Sequence, residues 1–155
     1  MNSGPIEPSA EYFKTNDIKT EDIEEILKLV DYGWERWCEF KDHVPKPQLE
    51  QPVRAALECG IVIDGSIDVL CIGDNTVYFI DWKSGRLQHG HYHQMAGYAY
   101  AVRKQLGLPD DVMVKGIIVY LRDRRYRIYD FDASTTESWR HNLERNVLSL
   151  PNGKT

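Results

Sequence analysis

The chain has few cysteines, no excess of positive charge and no long hydrophobic run. No stretch approaches the length and apolarity of a membrane span, so no membrane partner is expected. The first residues, MNSGPIEPSAEYF, lack the basic and apolar regions of a secretory signal, which makes cytoplasmic location the expectation. The three cysteines, Cys38, Cys59 and Cys71, are scattered and form no C-x-x-C pair. That excludes a disulfide framework and an ordinary four-thiolate iron–sulfur cluster, and it leaves reduced, structural thiols. The net charge of −5 gives no overall basic footprint for nucleic acid. Net charge does not decide the matter, because RDRRYR (122–127) is a local basic patch to which Lys83, Arg86, Arg103 and Lys104 could add. The patch reads equally as a solvated hairpin turn. There is no P-loop, internal repeat or low-complexity segment.

What is present suits one globular domain. At 155 residues, 42% hydrophobic and 28% charged, the chain is long enough to bury a core without disulfide or metal staples. Residues 1–19 read as irregular, 20–150 as a single domain and 151–155 as a tail. T-E-D-I from Thr20 opens a helix with acidic residues in its first turn and apolar positions at Ile23, Ile26, Leu27 and Val30. The pattern runs on through Trp34, Trp37 and Phe40 to the breakers HVPKP, with Gly33 as a kink or a boundary. Residues 49–58 read as a strand whose Pro52 favours a sheet edge or a bulge. Cys59-Gly60 turns into a strand at 61–72, and Asp74-Asn75 turns into TVYFIDWK (76–83), completing an antiparallel meander. Residues 91–106 have helical periodicity closed by Gly107 and Pro109. VMVKGIIVYL (112–121) reads as a strand buried on both faces, RRYRIYDFD (124–132) as its hairpin partner, and Ser134 or Thr135 as the cap of a last helix ending near Leu148. The expected fold is α/β (α+β), with a central mixed β-sheet flanked by helices in the order α-β-β-β-α-β-β-α.

The chemistry concentrates at three carboxylates and a lysine. Asp81 and Lys83 lie two apart on a strand, hence on one side of it. Alone, such a pair is a salt bridge at a strand end. Counting back through the hairpin at Asp74-Asn75 sets Asp68 opposite about residue 81. Counting through the turn at Cys59-Gly60 brings Glu50 or its neighbour near Asp68, with Pro52 and Gly65 as places where the register could slip by one and flip a side chain. Gathered carboxylates repel and are costly to hold without a cation. An all-oxygen donor set suits Mg²⁺ or Mn²⁺, and a lysine beside such a cation can orient water or offset charge on a phosphoryl group.

In order along the chain stand GSID (65–68), DWK (81–83) with a small-residue tail, and QMAGY (94–98) on the following helix. This series resembles the PD-(D/E)XK nuclease superfamily, whose pattern is G-x-x-D, D/E-x-K, Q-x-x-x-Y, and most of all its RecB-like exonuclease branch. The resemblance covers roughly residues 35–100. It implies a restriction-endonuclease-like core and a DNA-cleaving phosphodiesterase using Mg²⁺ or Mn²⁺. Asp68, Asp81 and the carbonyl of Trp82 would hold the metal, Lys83 would be the catalytic lysine, and Gln94 and Tyr98 would support the site or contact DNA. Where many RecB-like members carry a histidine on the early helix, this chain offers Glu35; Glu50 is its rival or companion, and His43 comes too late.

The iron–sulfur cysteines of some members are missing. Without a helicase motor, processivity would need a homo-oligomer or recombination or replication proteins. Compact members of this kind are frequent in phages, which would make the location a host cytoplasm. HGHYH (89–93) alternates His89, His91 and His93, a zinc pattern on an extended segment. A helix starting there would disperse them, leaving at most one histidine for a substrate phosphate. The rival to a working enzyme is an inactive module that keeps the fold for nucleic-acid binding or protein assembly.

Overall fold

A computed structural model describes residues 20–42, 46–88 and 90–148. The segments expected to be irregular at 1–19 and a tail at 151–155, together with His43 and His89, lie outside the described residues. The element order is α1 (Thr20–Phe40), β1 (Pro47–Ala56), β2 (Val62–Ile72), β3 (Thr76–Lys83), α2 (His91–Leu106), β4 (Met113–Tyr120), β5 (Arg125–Phe131) and α3 (Ala133–Leu148). The strands form one five-stranded sheet in the order β1-β2-β3-β4-β5. Every neighbouring pair is antiparallel except β3 and β4, which run parallel because α2 carries the chain back between them. The sheet is therefore mixed and flanked by helices, as the sequence pattern predicts.

Two clusters of buried side chains cover the two faces of the sheet. On one face Tyr32 of α1 packs with Val69, Cys71, Ile80, Ile117 and Val119, joined by the half-buried Trp82. On the other, Val77, Phe79, Val114 and Ile118 meet Met95, Ala99 and Val102 of α2, with Trp139 and Leu143 of α3 against their edge. The apolar run in β4 is buried on both faces, as its composition requires. Gly116 lies under this second cluster, where a Cβ would sit 2.7 Å from the Phe79 ring. β1 is a sheet edge, which accommodates Pro52 within its regular pairing to Ser66.

Two local expectations are corrected. Gly33 neither kinks nor ends α1, which is continuous; its missing side chain lets Leu121 approach, 3.1 Å from where a Cβ would be. The cap of α3 is Asp132, not Ser134 or Thr135. Its carboxylate accepts the Thr135 amide at 2.7 Å, and a shorter acceptor one position before the helix outcompetes hydroxyls already inside it.

The departure from regularity that matters most lies in the β1–β2 hairpin. Ile63 and Gly65 face α2, as their contacts with Gly97 and Tyr98 show, and Ile67 joins the same cluster. Strict alternation would continue with Val69, yet Val69 and Cys71 face α1 while Leu70 faces α2. The strand rolls over at Asp68. Directly across, between the pairs Leu49↔Val69 and Gln51↔Ile67, Glu50 adopts a left-handed φ of 49° and drops out of the ladder. The flip occurs there and not at Pro52 or Gly65, both of which hold regular pairs.

Candidate active site

The roll at Asp68 takes its side chain out of the alternating pattern and into the gap between β2 and β3. The ladder between these strands stops at Val69↔Ile80, so the next position sets Asp68 beside Asp81. In place of a backbone bond, Asp68 Oδ2 accepts the Trp82 amide at 2.8 Å. One carboxylate oxygen thus closes the end of the ladder, and among the described residues no hydrogen bond engages the other.

Asp81 follows Phe79 on the α2 face of β3 and is only 6% exposed. Burial pushes its carboxyl up from the usual range, the Lys83 ammonium draws it back, and the charge of Asp68 adds to the rise. Lys83 Nζ lies 2.9 Å from Asp81 Oδ2, an ion pair whose side chains are 22% and 8% exposed. The approach lies outside hydrogen-bond angles, so that buried oxygen has no aligned donor. A desolvated carboxylate facing a second carboxylate and served by one off-axis ammonium is under-neutralised, and a divalent cation fits that deficit. Asp68 and Asp81 are the two carboxylates that the fold brings together there, with no third gathered among the described residues. Among the described residues no set of three or more His, Cys, Asp or Glu side chains is arranged around one point. Glu50 is exposed opposite Asp68. Glu35, 57% exposed, pairs with its neighbour Arg36 on α1, the helix that covers the other face.

The start of α2 completes the surroundings. Its N-cap is Gly90, without a side-chain cap and without an acidic residue in the first turn, so the positive end of the helix stays open. His91 sits there, stacked on Tyr120, with Nδ1 2.9 Å from the Tyr120 hydroxyl. Burial holds the imidazole below its usual pKa; Lys83 adds to the fall and Asp81 opposes it. Which of the two donates follows from the imidazole tautomer. His93 is exposed two residues on, so the helix separates the two described histidines of HGHYH.

One turn later Gln94 Nε2 donates to the Tyr98 hydroxyl at 3.2 Å. Tyr98 lies over Gly65, where a Cβ would meet the ring at 2.9 Å, and meets Phe79 edge-on. The glycine of GSID and the tyrosine of QMAGY are thus one contact. The sequence pattern brought forward Asp68, Asp81, Lys83, Gln94 and Tyr98, and the fold brings all of them to one end of β3 and α2. It missed Tyr120, which reads as core at the end of an apolar run. It weighed His91 only inside the histidine alternation. Neither carries a local signal, because the parallel register Lys83↔Tyr120 that sets them beside the lysine arises only after α2 crosses over.

No curated protein sequence matches the chain. Among solved structures, the crystal structure of SSO0001 is similar at 19% identity and a TM-score of 0.45, covering 92% of this chain and 69% of that one. A likeness this loose says nothing of chemistry. No helix among the described residues is long and apolar enough to cross a membrane. A sequence-family model, that of the PD-(D/E)XK nuclease superfamily, matches residues 9–154, nearly the whole length, and the chain belongs to that superfamily of phosphodiester-cleaving enzymes, which typically use divalent metal ions.

Proposed function

We propose that the protein is a DNA exonuclease of the RecB-like branch, dependent on Mg²⁺ or Mn²⁺. The observation that carries the reading is the buried, under-neutralised Asp81 carboxylate beside Lys83, with Asp68 turned toward it by the roll in β2. The branch is supported by the order GSID, DWK, QMAGY on strand, strand and helix, and by the Gly65–Tyr98 contact that joins the first motif to the third. Asp68 and Asp81 hold the cation with the Trp82 carbonyl. Glu50 is favoured over Glu35 as a further ligand, because it stands opposite Asp68 in the hairpin. When bound, the cation supplies charge stabilisation to the scissile phosphate and makes water easier to ionise.

Lys83 is held on the same side as Asp81 by strand alternation, so its ammonium can hydrogen-bond the attacking water or a phosphate oxygen where negative charge builds. The Trp82 amide fixes Asp68, and Gln94 with Tyr98 holds the start of α2 against β2. The His91 ring faces the same space, close enough to Lys83 and Asp81 to feel both charges.

Wild-type protein incubated with linear and circular DNA, with Mn²⁺ or with EDTA, tests the reading. Cleavage should require the metal and a DNA end, and Lys83→Ala should lower the rate about 10³-fold, or roughly 4 kcal/mol. Cleavage that survives EDTA, or a Lys83→Ala protein at full rate, would overturn it.

A further inference from the structure

The basic segment RDRRYR divides into two kinds of arginine. Arg122 is tied down, ion-paired to Glu25 and donating to the Ser84 carbonyl at 3.3 Å. Asp123 accepts the Leu87 amide at 2.9 Å, so the turn fastens the loop that follows β3. Arg124 occupies a left-handed φ of 52° with its guanidinium over the Tyr32 ring. These residues have structural work. Arg125 and Arg127 do not. Both are exposed, and neither side chain has a hydrogen bond or ion pair among the described residues, on a chain whose net charge is −5. The one carboxylate within β5, Asp130, belongs to Lys115 at 2.7 Å.

Register places these free cations. Lys83 pairs with Tyr120 across β3–β4, and Tyr120 pairs with Arg125 across β4–β5; in the same way Asp81 leads through Ile118 to Arg127. Residues opposite one another share a face, so both arginines stand on the α2 face, the face of Asp81 and Lys83. The Arg127 charge acts on the Tyr120 phenol, which agrees with that placement. From β3 to β5 is two strand spacings, about 10 Å, the axial length of about three stacked nucleotides. Arg125 and Arg127 themselves are one two-residue repeat apart, about 6.7 Å.

We propose that Arg125 and Arg127 bind the phosphates of the DNA strand beyond the scissile position, so that the outer strand β5 forms a track leading past His91, which covers the buried Tyr120, to Lys83. Resting on the nuclease reading, it adds where the substrate lies. Guanidinium groups with no internal partner can engage phosphate without first breaking an ion pair. As phosphate contacts they position the strand and carry no sequence preference.

The test uses the full chain with Lys83→Ala to prevent cleavage, Ca²⁺ in place of Mn²⁺, and a fluorescent single-stranded oligonucleotide followed by anisotropy from ~50 to ~200 mM salt. Adding Arg125→Ala and Arg127→Ala should reduce the salt slope by about 1.4 and weaken binding on the order of 25-fold near 0.1 M salt. Arg125→Lys with Arg127→Lys should retain most of the slope. Lys104→Ala with Arg145→Ala, which removes equal charge near the ends of α2 and α3, should leave the slope within about 0.3. If the parent binds and the slope ignores Arg125 and Arg127, or falls equally in the Lys104/Arg145 control, the track is wrong while the nuclease reading stands. A change in sedimentation without a change in slope would assign the strip to a contact between copies and overturn it as well. If the wild type neither binds nor cleaves DNA, both readings fall together.

Discussion

The two ends of α2 are built on opposite principles. At its C-terminal end, Gly107 takes the left-handed conformation, φ 60°, and returns its amide to the carbonyls of Arg103 and Lys104. Arg103, 8% exposed, donates to the carbonyls of Val112, Phe131 and Pro109, tying helix, strand and loop together; only its Nε is left without a partner. A cavity of about 880 Å³ opens here, lined by Tyr100, Arg103, Asp110, Asp132 and Glu137 among others. At the N-terminal end the cap is Gly90, with no side-chain cap, yet Asp81 is buried with an unaligned cation and a second carboxylate beside it. Volume marks the first end. Charge left unbalanced chooses the second, because a fold pays for such a group only where something else is to bind.

The largest stability effect should come from the balanced end. Arg103→Met keeps the apolar stem but strips charged donors from three carbonyls, two of them bonded in buried geometry. A loss of about 3 kcal/mol is expected in urea unfolding. The specific cleavage rate of the protein that remains folded should stay within about twofold at a permissive temperature. If Arg103→Met instead abolished cleavage in well-folded protein, the division of labour between the two ends would be wrong.

The unbalanced end should respond to metal. Mn²⁺ at a hundred times its Kd should stabilise the wild type by about 2.7 kcal/mol, a rise of about 8 °C in Tm at this chain length. Asp81→Asn removes the charge that burial penalises and should show little or none of that rise. Its metal-free form should be no less stable than the metal-free wild type, since the asparagine costs less to bury than the carboxylate did. Equal Mn²⁺ shifts in the two proteins would place the cation elsewhere.

Much of this was legible in the sequence, and the parts that were not share a cause. Element order, the exact span of α2 and the buried character of β4 follow from periodicity and from Gly107. The hairpin count that sets Asp68 near Asp81 also holds, because short turns leave little freedom in register. What periodicity cannot show is a strand that breaks its own alternation. The roll at Asp68, paired with the left-handed Glu50, has no glycine or proline to announce it. Nor can it show neighbours made by a crossover: Tyr120, Arg125 and Arg127 come beside Lys83 only through the parallel pairing of β3 with β4. The cap of α3 was misread for a simpler reason, since a run of D-A-S-T-T offers several acceptors and only geometry selects Asp132.

The smallest effect tests how the active end is held. Gly65→Ala would put a methyl 2.9 Å from the Tyr98 ring and 3.1 Å from its hydroxyl. The ring cannot retreat freely, since Phe79 meets it edge-on at 6.2 Å and Gln94 holds the hydroxyl. Either α2 lifts from β2 or the strand shifts, at a cost of about 1–2 kcal/mol. Because the strain arises from one contact, it should be relieved when the ring is removed. In a Tyr98→Ala background the same Gly65→Ala change should cost less than about 0.5 kcal/mol, so that the double-mutant cycle gives a coupling of about 1 kcal/mol. A cycle with no coupling would mean that Gly65 serves the backbone of β2 and not the tyrosine above it. The first and third motifs would then be neighbours in space without being one mechanical unit.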